Sequence, residues 1–340
     1  MLRSRLVTGL CCAALVLGAA ACGNPTASKP VVGTSPLNLI VPDSGNFTSG
    51  LPVYVALAQG FFKKEHLSVT VVNTTGGATN VAAVLAGKGA LGVDTGPVSV
   101  VAANLHGADL KILGADTTGM DILFFTKAGS PITSIYGLSG KKVGFSSPGS
   151  SSNVALNVIN SDLKAKGMKP AVGEAIGGPP MEYTAVETNQ ISVGFTAAPN
   201  LFSYVRDGSI RLLTSLSSYP AYKNVAVRVI FGSGSYIKSH GAQVREFLTA
   251  WHEAWAFAFA NHAKALADWR NGAKLSEPVS VLATGFSYYT PATQRLLPID
   301  GLQQDISDAV SLGVLKAPLT ASQLASDVES GYAASASSSG

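Results

Sequence analysis

Residues 51–97 read LPVYVALAQGFFKKEHLSVTVVNTTGGATNVAAVLAGKGALGVDTGP. Apolar residues recur at helical spacing over 51–64, whereas residues 67–72 alternate in polarity as a strand does. The same patterns predict a second helix over 79–85 and a short strand over 91–93. Helix and strand alternate with tight glycine turns between them, which indicates a parallel sheet covered by helices.

The glycine turns and helix starts of this segment would meet along one edge of the sheet, where ligands bind in open α/β sheets. Glycines let the backbone approach a ligand, and free N–H groups at a helix start favour an anion. The candidate ligand contacts in three such loops are Ser44, Asn46 and Phe47 after an apolar strand, Gly76, Gly77, Ala78 and Thr79 before the second helix, and Asp94, Thr95 and Gly96 before the third. The alternative is that these are plain turns, and that Asp94 caps a helix beginning at Pro97.

A serine-rich loop farther along the chain is a fourth candidate. It lies between a strand predicted over 141–145 and a helix predicted over 153–166. Its hydroxyls and the free N–H groups of the helix start suit an oxyanion or a polar solute. The residues concerned are Ser146, Ser147, Ser150 and Ser151. A flexible serine linker is the alternative.

Residues 1–21 have the pattern of an export signal. Two arginines precede an apolar stretch over 6–17, which is too short to span a bilayer. Three small residues then precede Cys22, as in a lipoprotein signal, although Ala19 stands where a large aliphatic residue is usual. The other two cysteines lie within the signal, so Cys22 would remain as a single first residue for lipid attachment. An ordinary secretory signal cut near Ala21 is the alternative.

Composition bounds the rest of the chain. About 300 residues remain after the signal, enough for two domains with their own cores. Small and polar residues predominate in two segments. They predict a flexible lipid-anchored linker over residues 22–36 and a disordered tail over residues 333–340. Charged residues are only 13% of the chain, and no basic cluster is interleaved with aromatic residues. Nucleic acid is therefore not an expected partner.

Two further motifs resemble the solute-binding proteins of ABC importers for nitrate, sulfonates, taurine and thiamine precursors. The first is Gly60-Phe61-Phe62-Lys63-Lys64 followed by Val84-Leu85-Ala86-Gly87. The second is ITSIYGLSGKKVGF at 132–145, which is similar to that family's I-x-x-L-x-G-K-x-V run. The resemblance covers residues 37–332.

The resemblance implies an α/β chain with the type II periplasmic-binding fold. In that fold two lobes, each with a central sheet flanked by helices, are joined by two crossover strands. Residues 37–125 and 226–332 would form lobe 1, and residues 126–225 lobe 2. A long helix predicted over 244–269, with an aromatic stripe facing the core, would pack on lobe 1 with the C-terminal helices.

The resemblance also adds ligand contacts from lobe 2. The segment corresponding to 191–199 faces the cleft in this family, which implies that Phe195, Thr196 and Ala197 lie near the ligand. Two positions depart from the family pattern: Ser192 stands where an Asp is usual, and the Asp usual soon after Gly87 is absent.

The implied function is that of a receptor and not of an enzyme. The sequence has no nucleophile elbow, phosphate-binding loop or metal-ligand spacing, so neither a cofactor nor a metal is expected. Enzymes of this fold that make a thiamine precursor carry a cysteine cluster, which is missing here. We expect a lipid-anchored monomer on the extracytoplasmic side of the cell membrane. It would capture a small polar or anionic solute, a sulfonate first, for an ABC permease and ATPase.

Two alternatives remain open. In the first, the solute is a heteroaromatic compound, similar to a thiamine precursor, that stacks on Phe47 or Phe195. In the second, the protein is a ligand sensor for a signalling partner.

Overall fold

The computed structural model describes residues 33–216 and 222–337. The predicted export signal and Cys22 lie outside these residues, so lipid attachment stays a prediction. Every helix in the two described ranges is too short or too polar to cross a bilayer.

Strands and helices alternate along most of the described chain. The strands are β1 (Ser35–Val41), β2 (Leu67–Asn73), β3 (Leu91–Thr95), β4 (Leu110–Thr118), β5 (Leu123–Lys127), β6 (Lys142–Phe145), β7 (Val172–Ala175), β8 (Gly194–Thr196), β9 (Ile210–Ser215) and β10 (Ala226–Ser233). The helices are α1 (Phe47–Gln59), α2 (Phe61–Lys64), α3 (Gly77–Leu85), α4 (Pro97–Leu105), α5 (Ser151–Ala165), α6 (Pro179–Glu187), α7 (Phe202–Arg206), α8 (Gly234–Ser239), α9 (Gly241–Ala260), α10 (His262–Gly272), α11 (Val279–Leu282), α12 (Leu302–Ser311), α13 (Ala321–Ser326) and α14 (Gly331–Ser337).

The sheet of lobe 1 has the strand order β2-β1-β3-β10-β4. β1 pairs in parallel with β2 and β3, whereas β10 lies antiparallel between β3 and β4. Every residue of β3 is buried, as expected for a central strand covered by helices on both faces. The helical segment predicted over 51–64 is two helices, because Gly60 adopts the left-handed conformation (φ 78°) that ends α1.

The strands of lobe 2 form two smaller sheets. β5 pairs antiparallel with β8 on one side and β9 on the other, and β6 pairs in parallel with β7. The N–H of Gly144 donates to the carbonyl of Val193 over 2.9 Å, which links the two sheets edge to edge. β7, β8 and β9 have no counterpart among the predicted strands.

The chain crosses between the two sets of strands twice, once between β4 and β5 and once between β9 and β10. The prediction of two lobes joined by two crossings is therefore confirmed. Residues 123–125, assigned to lobe 1 from sequence, belong to β5 and pair with strands of lobe 2.

Two predictions about the last third of the chain were wrong. The long helix over 244–269 is interrupted at Asn261 (φ −137°, ψ 55°), which separates α9 from α10. Residues 333–337 of the predicted disordered tail lie in α14, and the side chains of Ala333 and Ala336 are buried. Small alanines pack closely against another helix, which a composition argument does not anticipate.

Candidate functional site

A cavity of about 440 Å³ lies between the two lobes. Lobe 1 lines it with the loops that follow β1, β2 and β3, and lobe 2 with the loops that follow β6, β7 and β8. The cavity is therefore at the carboxyl ends of strands, where the sequence placed it.

Most of the predicted contacts line this cavity. They are Ser44, Asn46, Phe47, Gly76, Gly77, Asp94, Gly96, Ser146, Ser150, Ser151, Phe195 and Ala197. Five predicted contacts are not part of the lining, namely Ala78, Thr79, Thr95, Ser147 and Thr196. Lining a cavity is not yet binding a solute, so each ligand contact stays a prediction.

The threonines outside the lining use their hydroxyls within the protein. Thr95 is fully buried, and its Oγ1 accepts a hydrogen bond from Nδ2 of Asn80 over 2.8 Å. Thr196 is also fully buried and donates to the carbonyl of Asn200 over 2.8 Å. The hydroxyl of Thr79 donates to a backbone carbonyl of its own turn. These side chains stabilise the loops beside the cavity through bonds within the protein.

Phe47 borders the cavity but belongs to the core of lobe 1. Its side chain is 1% exposed and its ring stacks on Tyr289, with centroids 5.1 Å apart. Trp269 and Phe286 meet the same ring edge-on. With its ring enclosed by aromatic neighbours, Phe47 offers little free face for stacking a heteroaromatic solute.

The serine-rich loop is ordered and forms the start of α5. Oγ of Ser150 accepts a hydrogen bond from the N–H of Asn153 over 3.3 Å, as an N-cap does. Oγ of Ser152 accepts one from the N–H of Ser146 over 2.9 Å. The loop is therefore a fixed part of the cavity wall, and the flexible-linker alternative is wrong.

Asp94 does not cap α4. The N-cap of that helix is Gly96, which makes no side-chain capping bond. The carboxylate of Asp94 instead accepts hydrogen bonds from Oγ1 of Thr48 and Nδ2 of Asn46, both over 3.2 Å. Its backbone is left-handed (φ 53°), and its N–H donates to Oδ2 of Asp116 over 2.6 Å.

A buried ion-pair network centred on Arg228 lies beneath Asp94. Nε of Arg228 lies 2.7 Å from Oδ1 of Asp94, and its Nη1 lies 2.5 Å from Oδ2 of Asp121. The hydroxyl of Tyr289 also donates to Oδ2 of Asp121, over 2.6 Å. Burial opposes the charge of Arg228, but the two carboxylates outweigh it and raise the pKa of the guanidinium. Burial, followed by the charge of Asp94, raises the pKa of Asp116 well above its usual value.

Sequence reasoning did not find Arg228 or Tyr289, although both line the cavity. Arg228 stands in the middle of the apolar strand VAVRVIF, residues 225–231. A lone charged residue in a buried strand is the one signal that indicates a paired or functional position.

The two lobes contact each other around the cavity. Nδ2 of Asn200 in lobe 2 donates to Oδ1 of Asn46 in lobe 1. Oγ of Ser151, at the start of α5, donates to the carbonyl of Val227 in β10 over 2.7 Å. The structure is therefore a closed arrangement in which polar groups of both lobes surround one space.

Solved structures of binding proteins share this fold. The alkanesulfonate-binding protein SsuA from Xanthomonas axonopodis pv. citri, bound to MOPS, is similar with a TM-score of 0.70 at 17% identity, over 88% of this chain and 99% of that one. The periplasmic aliphatic sulphonate binding protein SsuA from Escherichia coli has a TM-score of 0.66 at 18% identity, over 85% and 91%. The periplasmic nitrate-binding protein NrtA from Synechocystis PCC 6803 has 0.72 at 13% identity, over 90% and 89%. These likenesses confirm the predicted periplasmic-binding fold.

The family follows from a sequence model. No curated protein sequence matches the chain. The family model described as NMT1/THI5 like matches residues 48–265, from the first turn of α1 into α10. This range is more than half of the chain and includes both crossings between the lobes. It agrees with the resemblance found in the sequence motifs, and the chain belongs to the NMT1/THI5-like family.

Proposed function

We propose that this protein is the solute-binding component of an ABC importer, which closes two lobes on a small polar solute and delivers it to a permease. The observation that carries the proposal is the cavity between the lobes, with polar loops from both lobes in its wall. A solute that contacts both lobes only in the closed state drives closure by that difference in contacts. The sulfonate-binding and nitrate-binding proteins that share the fold support this function.

The cellular setting belongs to the same proposal. The protein is a monomer held by a lipid on Cys22 at the extracytoplasmic face of the cell membrane, with the linker 22–36 between lipid and fold. The permease and the ATPase are separate subunits. The support is the signal-like N-terminus with its single retained cysteine.

The proposed role is non-catalytic. Among the described residues that line the cavity there is no histidine or cysteine. Ser150 and Ser152 bond to backbone groups and to each other, and Ser151 donates to the carbonyl of Val227, so none of these three hydroxyls is bonded to a general base. The site holds and orients a solute without a nucleophile that is activated for chemistry.

A sulfonate-like solute, in which the sulfonate group meets the two helix starts, is the first ligand class for this site. The starts of α3 and α5 bring free backbone N–H groups and the positive ends of two helix dipoles to the cavity. The sulfonate-binding proteins of the same fold support this choice. A heteroaromatic solute is the second class, and the buried state of Phe47 gives it less support.

A thermal-shift screen tests the function. The panel contains alkanesulfonates, nitrate, bicarbonate, pyrimidines, riboflavin and amino acids. A ligand at about 100 times its Kd adds about 2.7 kcal/mol to the free energy of unfolding, which gives a readable shift in Tm. Ala197→Phe places a ring in the cavity and should abolish the shift. Ala82→Phe, at an exposed position of α3, should leave it unchanged.

A well-folded protein that responds to no member of the panel would argue against the importer role. That result would favour the alternative in which the protein is a ligand sensor for a signalling partner.

A further inference from the structure

The wall of the cavity is acidic. Among the described residues that line it, the charged side chains are Asp43, Asp94 and Arg228. The guanidinium of Arg228 is already paired with Asp94 and with Asp121 behind it. The lining therefore offers an entering solute more negative than positive charge, and it offers no lysine.

Asp43 is the carboxylate of the lining that is free to bind a solute. It lies in the loop after β1, and its Oδ1 accepts a hydrogen bond from the N–H of Gly45 over 2.8 Å. No other hydrogen bond or ion pair from the described residues reaches this carboxylate, although it is only partly exposed. Burial raises its pKa, and the charges of Asp94 and Glu277 raise it further. A cation in the cavity would relieve both effects.

We infer that the solute carries a protonated nitrogen, which pairs with the carboxylate of Asp43 inside the cavity. The inference rests on the proposed function, because it names the charge of the solute bound at the same site. An anionic group at the other end of the solute, against the starts of α3 and α5, is compatible with it. A solute that carries only negative charge is not compatible with the inference. It would lie beside the carboxylates of Asp43 and Asp94, while the guanidinium of Arg228 is already paired.

A matched series of small solutes tests the inference by calorimetry on the purified protein. Propane-1-sulfonate, 3-hydroxypropane-1-sulfonate and 3-aminopropane-1-sulfonate differ only at one end, and butylammonium carries the amine alone. We expect the amine-containing members to bind at least about tenfold more tightly than the other two, as one charged hydrogen bond allows.

Variants assign this preference to Asp43. Asp43→Asn keeps an oxygen for the N–H of Gly45 and removes the charge, so the Kd for the amine-containing members should rise about tenfold. Asp300→Asn is the matched control, because Asp300 is exposed and outside the lining. If Asp43→Asn is poorly folded by circular dichroism, Asp43→Ser replaces it.

The outcomes separate the two proposals. Equal or tighter binding of propane-1-sulfonate, or an amine Kd that Asp43→Asn changes by less than about twofold, overturns this inference and leaves the importer function intact. Binding of no member of the series, together with a silent thermal-shift panel, rejects both.

Discussion

Arg228 is the side chain on which the buried charges of the cavity wall depend. It is 10% exposed, and it lies between two aspartates that are exposed by less than a tenth. Removing the only cation from such a group leaves carboxylates that are neither solvated nor paired, which is more costly than losing a surface ion pair.

Arg228→Met should therefore lower the free energy of unfolding by about 3–5 kcal/mol at neutral pH. Urea unfolding at neutral pH measures this loss. Arg206→Met, at an exposed position of α7, is the control and should change the free energy of unfolding by less than about 0.5 kcal/mol.

Glu182 is a further buried acid, in lobe 2 and outside the cavity lining. It is 0% exposed, and burial raises its pKa from 4.5 to about 9. The folded protein therefore keeps a proton on Glu182 at pH 7, whereas the unfolded chain releases it. Stability from this residue is fully present below pH 4.5 and is lost as pH rises towards 9.

Glu182→Gln should remove this pH dependence. The stability of the variant relative to the natural protein should increase between pH 5 and pH 8, by up to about 1.4 kcal/mol per pH unit. Glu187→Gln, on an exposed position of the same helix, should show no such slope. Parallel stability curves for the natural protein and Glu182→Gln would mean that Glu182 is ionised in the fold.

The packing of α6 on β6 depends on a glycine. A Cβ at Gly144 would lie 1.8 Å from Oε2 of Glu182, so no larger residue fits unless the acid moves. This close approach brings the start of α6, including Pro179 and Met181, to the rim of the cavity. The position of one wall of the site is therefore set by a contact between two elements.

Gly144→Ala should destabilise the protein by about 1–3 kcal/mol, because it overpacks this contact. Gly129→Ala is the control, since a Cβ there meets nothing within 4 Å. Adding Glu182→Ala to Gly144→Ala should restore part of the loss, since it removes the clashing atoms. If the double variant instead loses the sum of the two single-variant losses in thermal unfolding, the contact between Gly144 and Glu182 is not the cause of the destabilisation.

The last helix is part of the core of lobe 1. Ala333 and Ala336 are buried, and the ring centroid of Tyr332 lies 5.5 Å from the guanidinium carbon of Arg245 on α9. A chain that ends after Ser330 should lose about 2 kcal/mol of stability, since each buried methyl contributes about 0.8 kcal/mol and the ring adds more. A chain that ends after Ser337 should match the full protein in urea unfolding. A loss in the second chain as large as in the first would place the effect beyond α14.

Closure involves the whole molecule, because the bonds that join the lobes come from loops far apart in sequence. The contact between Asn46 and Asn200 is made only when the lobes meet. A hydrogen bond of this kind contributes about 1 kcal/mol, which is a factor of about five in the ratio of closed to open molecules.

Asn200→Ala should therefore shift the protein without solute towards the open state by about that factor. Small-angle scattering should show a larger radius of gyration than for the natural protein, and saturating solute should reverse the increase. Asn271→Ala, at an exposed position near the end of α10, is the control. An unchanged radius with Asn200→Ala would mean that other contacts hold the lobes together.

Much of the architecture can be predicted from local patterns. Periodicity and glycine turns predicted α1, β2, α3, β3 and α5, because each element depends on neighbours within a few residues. Loops at the carboxyl ends of these strands followed from the class of fold, so most of the predicted contacts line the cavity. The break at Asn261 and the helical tail were missed, because packing and not composition decides them.

The sequence is sufficient to predict the alternation of strands and helices, the two lobes and the edge at which the cavity forms. The charge and shape of that cavity follow from the tertiary fold instead. Asp94, Asp121, Arg228 and Tyr289 are distant in sequence and meet through the order of the strands. Phe47 turns into the core because four aromatic neighbours from the C-terminal third surround it. No local pattern encodes such partners, since each side chain is placed by residues that the chain brings back from far away.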